Sequence, residues 1–410
     1  KENQKPLKSQ LIYISYNYEM SKDFKIETPF KPNGDQPEAI SKLTKNLKHG
    51  VKEQTLLGVT GSGKTFTIAN VIENINRPTV VMAHNKTLAA QLYEEFRQIF
   101  PNNAVHYFVS YYDYYQPEAY IPSSNTYIAK DSQINDHIDQ LRHAATSALF
   151  NRRDVIIVSS VSCIYGIGSP KDYFNMAIEL KTKDSLNRED LLSDLVKVQY
   201  TRSRFELTRG SFRAIGNNVD IIPSNYEDKA VKVRFEENLI SDLYEIDPLN
   251  GEIIEELDSI IIFPSSHYVV EKMTTEKAIK SIEKELKEQV GSLRSQGKLD
   301  EMKRIQERTA KDLELMEIMG FCPGVENYSR HLDQRSKGEP PCTLIDYFPD
   351  DFLLVVDESH QTVPQIRGMY AGDRSRKQTL VDHGFRLPSA LDNRPLNIEE
   401  FEKKINQIIY

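Results

Sequence analysis

Tryptophan is absent from this 410-residue sequence, and cysteine is nearly so, with three residues. Cys163, Cys322 and Cys342 show no CxxC spacing and have no histidines nearby, so neither a zinc site nor a disulfide framework is expected, and a reducing compartment is indicated. Long apolar runs are missing too. The longest uncharged stretch, 155–169, contains four serines and is too short and polar to cross a bilayer. The sequence predicts a soluble globular protein with two or three cores.

The chain also lacks an excess of positive charge, with a net charge of −8 and a pI near 5.7. An acidic balance does not exclude nucleic acid as a partner, because binding depends on a local basic surface rather than on the sum over the chain. Residues 1–19 are basic and then briefly apolar, without the core or cleavage site of a signal peptide. Since Met20 resembles a natural start, we expect residues 1–20 to be an extension outside the fold.

Tyrosine is abundant and concentrated. Seven of the 21 tyrosines lie between Tyr107 and Tyr127, most of them within 111–120. Adjacent side chains of a strand point to opposite faces, so this run cannot bury all its rings. Exposed aromatic surface usually marks a binding site, and flat rings are what nucleic-acid bases stack on. The run therefore predicts a nucleic-acid contact.

A phosphate-binding loop is predicted at residues 58–65, which match GxxxxGK[ST] between a short strand (55–57) and a helix (66–75). Its glycines let backbone N–H groups close around phosphates at the positive end of the helix. Lys64 is expected to reach the β- and γ-phosphates, and the Thr65 hydroxyl to bind Mg²⁺. The predicted ATP-binding residues are Gly58, Val59, Thr60, Gly61, Ser62, Gly63, Lys64 and Thr65.

An acidic pair completes such a site. The apolar run 352–356 is typical of a buried parallel strand, and Asp357, Glu358 and His360 follow it. Asp357 is expected to hold Mg²⁺ through water, Glu358 to orient and deprotonate the attacking water, and His360 to sense the γ-phosphate. Lys64 and Asp357 are 293 residues apart, whereas one nucleotide-binding lobe needs about 100 to 150. Inserted domains are the favoured explanation, and two separate sites the alternative.

Phe30 and Gln36 precede a predicted helix at 38–47. A glutamine amide can pair with both the N6 donor and the N7 acceptor of adenine, so Gln36 is a candidate adenine reader with Phe30 stacked on the base. A simple turn at the start of a helix explains the same residues equally well.

Several stretches now resemble one family, the UvrB proteins of bacterial nucleotide excision repair, which are helicase-like members of superfamily 2. They lie in the family's order and span nearly all of 21–410: residues 30–36, 58–65, 83–91, 111–127, 209–213, 356–360 and 384–392.

The resemblance implies an α/β fold in which a RecA-like P-loop motor lobe with a parallel sheet is discontinuous, at 21–105, 136–165 and 330–410. A helical domain bearing a β-hairpin is implied at 106–135 and 265–329, with the hairpin at about 110–130. A mainly-β domain that interacts with UvrA is implied at 166–264. The residues themselves indicate a strand-rich region at 164–263 and charged helices at 271–289 and 299–315.

The resemblance also implies roles for particular residues. The aromatic wedge that inserts between DNA strands comprises Tyr111, Tyr112, Tyr114, Tyr115, Tyr120 and Tyr127. Candidate backbone contacts are His84, Asn85, Lys86, Arg142 and Arg367, although for each of them a solvated surface residue is about equally plausible. Arg202, Arg204 and Arg213, with Arg209 nearby, form a candidate UvrA-binding patch; the alternative is an ordinary solvated face.

The expected function is damage verification within the UvrABC excision nuclease. The chain would accept damaged DNA from UvrA, insert its hairpin using ATP and Mg²⁺, and form the pre-incision complex for UvrC in the cytoplasm, with no membrane involved. No second motor lobe or UvrC-recruiting hairpin is recognisable after Asn393, so we expect a truncated chain with little or no turnover. The alternatives are an ATP-regulated adaptor for UvrA and DNA, or a transcription–repair coupling factor or other translocase. The intact Gly63-Lys64-Thr65 and the tyrosine hairpin disfavour the latter.

Overall fold

The computed structural model of the chain describes residues 22–269 and 272–410. The expected extension at 1–20 lies outside the described residues. The strands are β1 Glu53–Gln54, β2 Thr79–Met82, β3 Ala104–Phe108, β4 Tyr112–Gln116, β5 Ala119–Ile121, β6 Thr126–Ile128, β7 Asp131–Ile134, β8 Val155–Ser159, β9 Ile178–Lys181, β10 Thr201–Arg202, β11 Ser211–Ile215, β12 Asn218–Ile222, β13 Ala230–Glu236, β14 Leu239–Ile246, β15 Ile253–Leu257, β16 Ser259–Ile262, β17 Leu353–Val356 and β18 Gln407–Ile409. The helices are α1 Gln36–Lys48, α2 Lys64–Ile75, α3 Lys86–Ile99, α4 Asp136–Asn151, α5 Pro170–Asn175, α6 Arg188–Lys197, α7 Lys272–Ser295, α8 Leu299–Met319, α9 Ser329–Leu332, α10 Ser359–Asp382 and α11 Ile398–Lys404.

A parallel six-stranded sheet forms the centre of the molecule, in the order β1-β18-β17-β2-β8-β3. Its inner strands β2, β8 and β17 are buried along their whole length, as continuous Val, Ile and Leu runs predict for a sheet covered on both faces. Apolar clusters lie on either side, one containing Phe108 and Phe401 and the other Ile72 and Phe96. Strand β18 separates β1 from β17.

The residues of the predicted site lie together at the carboxyl edge of this sheet. The phosphate loop follows β1, His84 follows β2, and the acidic pair follows β17. The tyrosine run leaves the sheet after β3 as a hairpin built from two antiparallel pairs, β4 with β7 and β5 with β6. The hairpin thus extends to Ile134, a little beyond its expected end near 130. Because all neighbouring strands are parallel, these segments emerge on one side.

Two further units lie between the parts of the sheet. Strands β10 to β15 form a second six-stranded sheet, antiparallel except for the β10–β11 pair, with α6 and the β9–β16 pair packed on its core. Helices α7 and α8 pack on each other around Ile282, Ile305 and Leu313. The predicted fold class, an α/β P-loop lobe with helical and mainly-β insertions, is confirmed. Within the described residues, no helix combines the length and apolar character needed to cross a membrane.

The strand before the phosphate loop differs from the prediction in its position. It was expected at 55–57, but β1 ends at Gln54, and Leu56 donates its backbone N–H to the Tyr410 carbonyl at 2.8 Å. The helix after the loop begins at Lys64 rather than at 66. Both differences are small because the glycine-rich loop, rather than strand propensity, sets where the chain turns.

Candidate ATP site and tyrosine hairpin

The phosphate loop is an open turn whose backbone only glycine adopts easily. Gly61 and Gly63 have φ values of 80° and 78°, and Gly63 caps α2. The first N–H groups of a helix have no partner within it, so the start of α2 presents donors and positive potential to an anion. Within the loop, Ser62 Oγ donates to the Val59 carbonyl at 2.8 Å. The loop is therefore shaped to receive phosphate oxygens.

The two halves of the predicted ATP site meet although they are far apart in sequence. Lys64 Nζ donates to the carbonyls of Gly58 at 3.0 Å and Val59 at 3.3 Å. The same nitrogen lies 3.8 Å from Glu358 Oε1. Burial, together with the adjacent Glu358 carboxylate, raises the pKa of Asp357. The exposed His360 has its Nδ1 3.5 Å from Glu358 Oε2.

Gln36 reaches the phosphate loop directly. Its Nε2 donates to the Ser62 carbonyl at 3.0 Å, and its Oε1 accepts from the Asn33 N–H at 3.1 Å. A Cβ at Gly63 would lie 2.2 Å from Gln36 Nε2, so a side chain here would displace the end of the flexible Gln36 side chain in addition to straining the backbone. Phe30 is 73% exposed beside this turn. Gln36 thus contacts the loop, while adenine recognition by Gln36 and Phe30 stays a prediction.

The root of the hairpin is a continuous stack of rings. The Arg142 guanidinium lies 3.9 Å from the centre of the Phe108 ring and 4.9 Å from that of Tyr111. The Tyr111 and Tyr112 rings are 4.4 Å apart, and Tyr112 stacks on Tyr115 at 4.8 Å. Burial raises the pKa of Tyr111. Tyr115 is about half exposed, so the stack ends in a ring that a base can reach, while the equally exposed Tyr114 donates its hydroxyl to Gln116 Oε1.

The tip of the hairpin is pinned to the helical unit and to the loop after α10. Tyr127 stacks on Phe385 with ring centres 4.6 Å apart and planes 8° apart, and Tyr120 also contacts Phe385, at 4.8 Å. Glu118 is buried and lies 2.7 Å from Arg386 Nε and 3.1 Å from Arg308 Nη1. Burial alone would raise the pKa of Glu118, but the charge and hydrogen bond of Arg386 outweigh it and lower that pKa.

These pinning residues were not predicted. No role was expected of Glu118, and Arg308 lies in the segment 299–315, which was expected to be a charged surface helix. A usable signal existed, since an acid within a tyrosine run requires a partner once the rings around it are buried. Lys130 at the hairpin base makes a further pair with Glu326, at 2.8 Å.

The other residues predicted to contact DNA differ in their exposure and in their hydrogen bonds. Lys86 Nζ donates to the Tyr112 carbonyl at 2.8 Å, and Asn85 caps α3 by accepting from the Leu88 N–H. His84 is half-buried, and Arg367 is exposed on α10. Arg142 differs from its expected position: it is buried, and its Nη1 donates to the Val109 carbonyl at 2.8 Å. The prediction of a surface phosphate contact at Arg142 is therefore wrong in its premise of exposure, because the hairpin rings cover the guanidinium.

The arginines between 202 and 213 also differ in whether they are exposed or bonded within the molecule. Arg202 and Arg204 are exposed. Arg213 is half-buried and bonded to Asp220 at 3.0 Å and to the Phe205 carbonyl at 3.1 Å. Arg209 Nη2 lies 2.6 Å from Asp139 Oδ2 of α4. Arg202 and Arg204 therefore stay candidates for a partner surface, whereas Arg213 is held by its own sheet.

Fold and site together define a P-loop protein of the helicase-like class, in which one nucleotide-binding lobe carries a β-hairpin and inserted domains. Residues 29–159 match the family described as the res subunit of Type III restriction enzyme. Residues 178–268 match the UvrB interaction domain, and residues 273–334 the UvrB third helical domain. The chain belongs to the UvrB family, as its resemblance indicated.

Relatives support this over nearly the whole chain. The sequence is 59% identical over 387 residues to UvrABC system protein B of Geobacillus kaustophilus, which covers 94% of this chain and 59% of that protein. It is 57% identical over 391 residues to the Bacillus subtilis protein of the same name, covering 95% of this chain and 59% of that protein. It is 59% identical over 388 residues to the Natranaerobius thermophilus protein of the same name, covering 95% of this chain and 59% of that protein. The chain thus spans about three fifths of the length of these curated relatives.

Proposed function

We propose that the chain binds ATP and DNA as the damage-verifying subunit of the UvrABC excision nuclease. The observation that carries the proposal is the meeting of Lys64 and Glu358, 3.8 Å apart, at the sheet edge from which the tyrosine hairpin leaves. A nucleotide site and a set of half-exposed rings are thereby built on one rigid frame. ATP would control how the rings are held against nucleic acid.

The residues fit ATP with Mg²⁺. The loop has the positive φ values and the unpaired helix N–H groups that phosphates need, and a side chain at position 63 would displace Gln36 from the loop. Lys64 would bind the β- and γ-phosphates, while the Thr65 hydroxyl and the Asp357 carboxylate would hold Mg²⁺. Bound Mg²⁺ neutralises charge on the phosphates. Glu358 would orient and deprotonate the attacking water, and His360 would report the state of the site.

Stacking on the hairpin supports the DNA part of the proposal. Every base has a π-face, so Tyr114 and Tyr115 can engage DNA without regard to sequence, as detection of diverse lesions requires. One strand would pass between the hairpin and the lobe while Glu118 and its arginine partners hold the tip closed. Lys86 and Arg367 would contribute phosphate contacts.

Partners follow from the family. UvrA would dock on the interaction domain, residues 178–268, with Arg202 and Arg204 as exposed contacts, and UvrC would join the pre-incision complex. Such a protein would act on bacterial DNA in the cytoplasm. An ATP-regulated adaptor without turnover of its own is the second candidate, supported by the same loop.

The test is UvrA-dependent loading on lesion-containing and intact duplexes with ATP present. Tyr114→Ala/Tyr115→Ala should lose selective loading, whereas Tyr114→Phe/Tyr115→Phe should keep it because the rings remain. If the alanine pair still loads selectively, the assignment of the wedge is wrong. Lys64→Ala should abolish stable loading, with Lys42→Ala on the exposed face of α1 as the control. Unchanged loading by Lys64→Ala would favour the adaptor.

A further inference from the structure

Helix α4 is attached to two different parts of the molecule. It follows the last hairpin strand, β7, through the single residue Asn135, and it also packs on residues of the interaction domain and its flanks. We propose that Asp139 and Arg142 of α4 are positioning residues, through which the seating of the interaction domain sets the orientation of the tyrosine stack. This inference rests on the proposed function, because it assigns a task to the hairpin and to the docking domain.

The first attachment is a polar joint that begins half-buried and becomes fully buried further along α4. Asp139 Oδ2 accepts from Arg209 Nη2 at 2.6 Å, and Gln140 Nε2 donates to the Asn225 carbonyl at 2.9 Å. The joint continues along α4 with the buried side chains of His143 and Thr146, which both contact the buried His267. The His143 ring stacks on His267 with centres 4.0 Å apart, and Thr146 Oγ1 lies 2.9 Å from His267 Nε2. Such a joint has fixed geometry, because every shift would leave a buried polar group without a partner.

The second attachment is the hairpin root. Arg142 Nη1 holds the Val109 carbonyl, and its guanidinium supports the Phe108 and Tyr111 rings from which the stack continues. Arg142 Nε has no hydrogen-bond partner among the described residues, so carbonyl and ring contacts are what compensate this buried cation. Asn135 adds a clamp, since its Nδ2 lies 3.1 Å from both carboxylate oxygens of Asp113.

The two attachments are mechanically linked because they share one turn of helix. Asp139 and Arg142 are three positions apart, which places their side chains next to each other on the same face. A helix moves as a unit, and closely packed surroundings change by switching between arrangements rather than by deforming. Any rotation or slide of α4 that loosens Asp139 from Arg209 must therefore move Arg142 beneath the Tyr111 ring.

The absence of tryptophan offers a direct readout. Tyr115→Trp places a single indole at the half-exposed end of the stack, in a chain with no other tryptophan. In this background Asp139→Asn and Arg209→Gln should each change acrylamide quenching of the indole fluorescence by at least about twofold, because directly coupled sites interact at that level. The matched control is Arg234→Gln, which removes a pair with Asp242 at 3.6 Å on the exposed face of the same domain. It should leave quenching unchanged.

A coupling is distinguished from two local effects by combining variants. Arg142→Lys alone should alter the quenching. The double variant Asp139→Asn/Arg142→Lys should change the quenching by less than the product of the fold-changes of the two single variants. A combined effect equal to that product overturns the proposal, as does unchanged quenching in Asp139→Asn. If Asp139→Asn fails to fold, Arg209→Lys keeps the charge while altering the geometry, and the same twofold criterion applies to it. The measurement uses no ATP, DNA or UvrA, so its failure leaves the loading experiments above unaffected, and failed loading does not alter the quenching result.

Discussion

The ammonium of Lys64 lies 3.8 Å from the carboxylate of Glu358, although the two residues follow strands that are not neighbours in the sheet. Strand β18 separates β1 from β17, so the contact crosses the carboxyl end of an intervening strand. The ion pair places opposite charges where the terminal phosphate of a nucleotide is expected. Neither partner is deeply buried, which leaves both free to exchange this contact for a ligand.

Glu358→Gln should therefore tighten ATP binding. The change removes a negative charge from the position nearest the γ-phosphate and releases Lys64, which we expect to lower Kd about fivefold, the size typical of a partly exposed charge interaction. Isothermal titration calorimetry with Mg–ATP measures it. Asp357→Asn is the matched variant: it should weaken Mg–ATP binding and leave metal-free ATP binding nearly unchanged. Equal responses of the two variants would contradict the separate roles of the acids.

Gly63→Ala should disrupt the phosphate loop more than Gly61→Ala does, because it also displaces Gln36. Both glycines have positive φ, so both substitutions strain the backbone by about 1 kcal/mol. At position 63 alone the new Cβ would lie 2.2 Å from Gln36 Nε2, whereas nothing lies within 4 Å of a Cβ at position 61. The flexible Gln36 side chain can move away at the cost of its hydrogen bond to the Ser62 carbonyl, so ATP affinity should fall about fivefold further for Gly63→Ala than for Gly61→Ala. Similar losses in both variants would mean that backbone strain, and not Gln36, limits the loop.

Glu118→Gln should destabilise the closed hairpin. Removing one partner of a buried ion pair leaves the charge of Arg386 uncompensated, which typically costs about 3–5 kcal/mol. Urea unfolding monitored by circular dichroism gives the change in the free energy of unfolding. The control is Glu94→Gln, whose pair with Arg97 at 3.7 Å is exposed and should contribute little. An equal effect of the two substitutions would show that the hairpin tip is not held by Glu118.

Stability should fall as the pH drops below about 6.5. Burial lowers the pKa of His143 to about 4 and that of His267 well below its ordinary value of 6.5. Both side chains are neutral in the folded state while the unfolded chain binds protons, so stability is fully present above pH 6.5 and is lost towards pH 4. Each histidine contributes a slope of about 1.4 kcal/mol per pH unit within that window.

His143→Gln should reduce the slope of the unfolding free energy against pH by the contribution of one proton. Unfolding free energies measured between pH 7 and pH 4.5 give this slope. His49→Gln, at the exposed end of α1, serves as the control and should leave the slope unchanged. A slope that is unchanged by replacement of His143 would assign the dependence to other groups.

Sequence patterns identified the parts whose chemistry is local. The loop at 58–65 and the strand before Asp357 each carry their own signature. Inserted domains between these two distant halves were the favoured explanation, with two separate sites as the alternative. The burial of a side chain by residues distant in the sequence could not be predicted from the sequence. Nothing in the sequence around Arg142 shows that Phe108 and Tyr111 will cover it, and Arg213 resembles its exposed neighbours until Asp220 is seen opposite it. Glu118 was missed for the same reason, since its partners are about 190 and 270 positions further along the chain.

The position of β18 has a consequence for biosynthesis. Its partner β1 leaves the ribosome roughly 350 residues earlier, so at about 5–20 residues per second it waits about 20–70 s for the strand that joins it to the sheet. Helices, the hairpin and the antiparallel domain rely on nearer contacts and can form during that interval. The phosphate loop receives its final support only after these parts exist. The Lys64–Glu358 contact therefore depends on a late step of synthesis, because β18 is the strand that joins β1, which precedes the phosphate loop, to β17, which precedes Glu358.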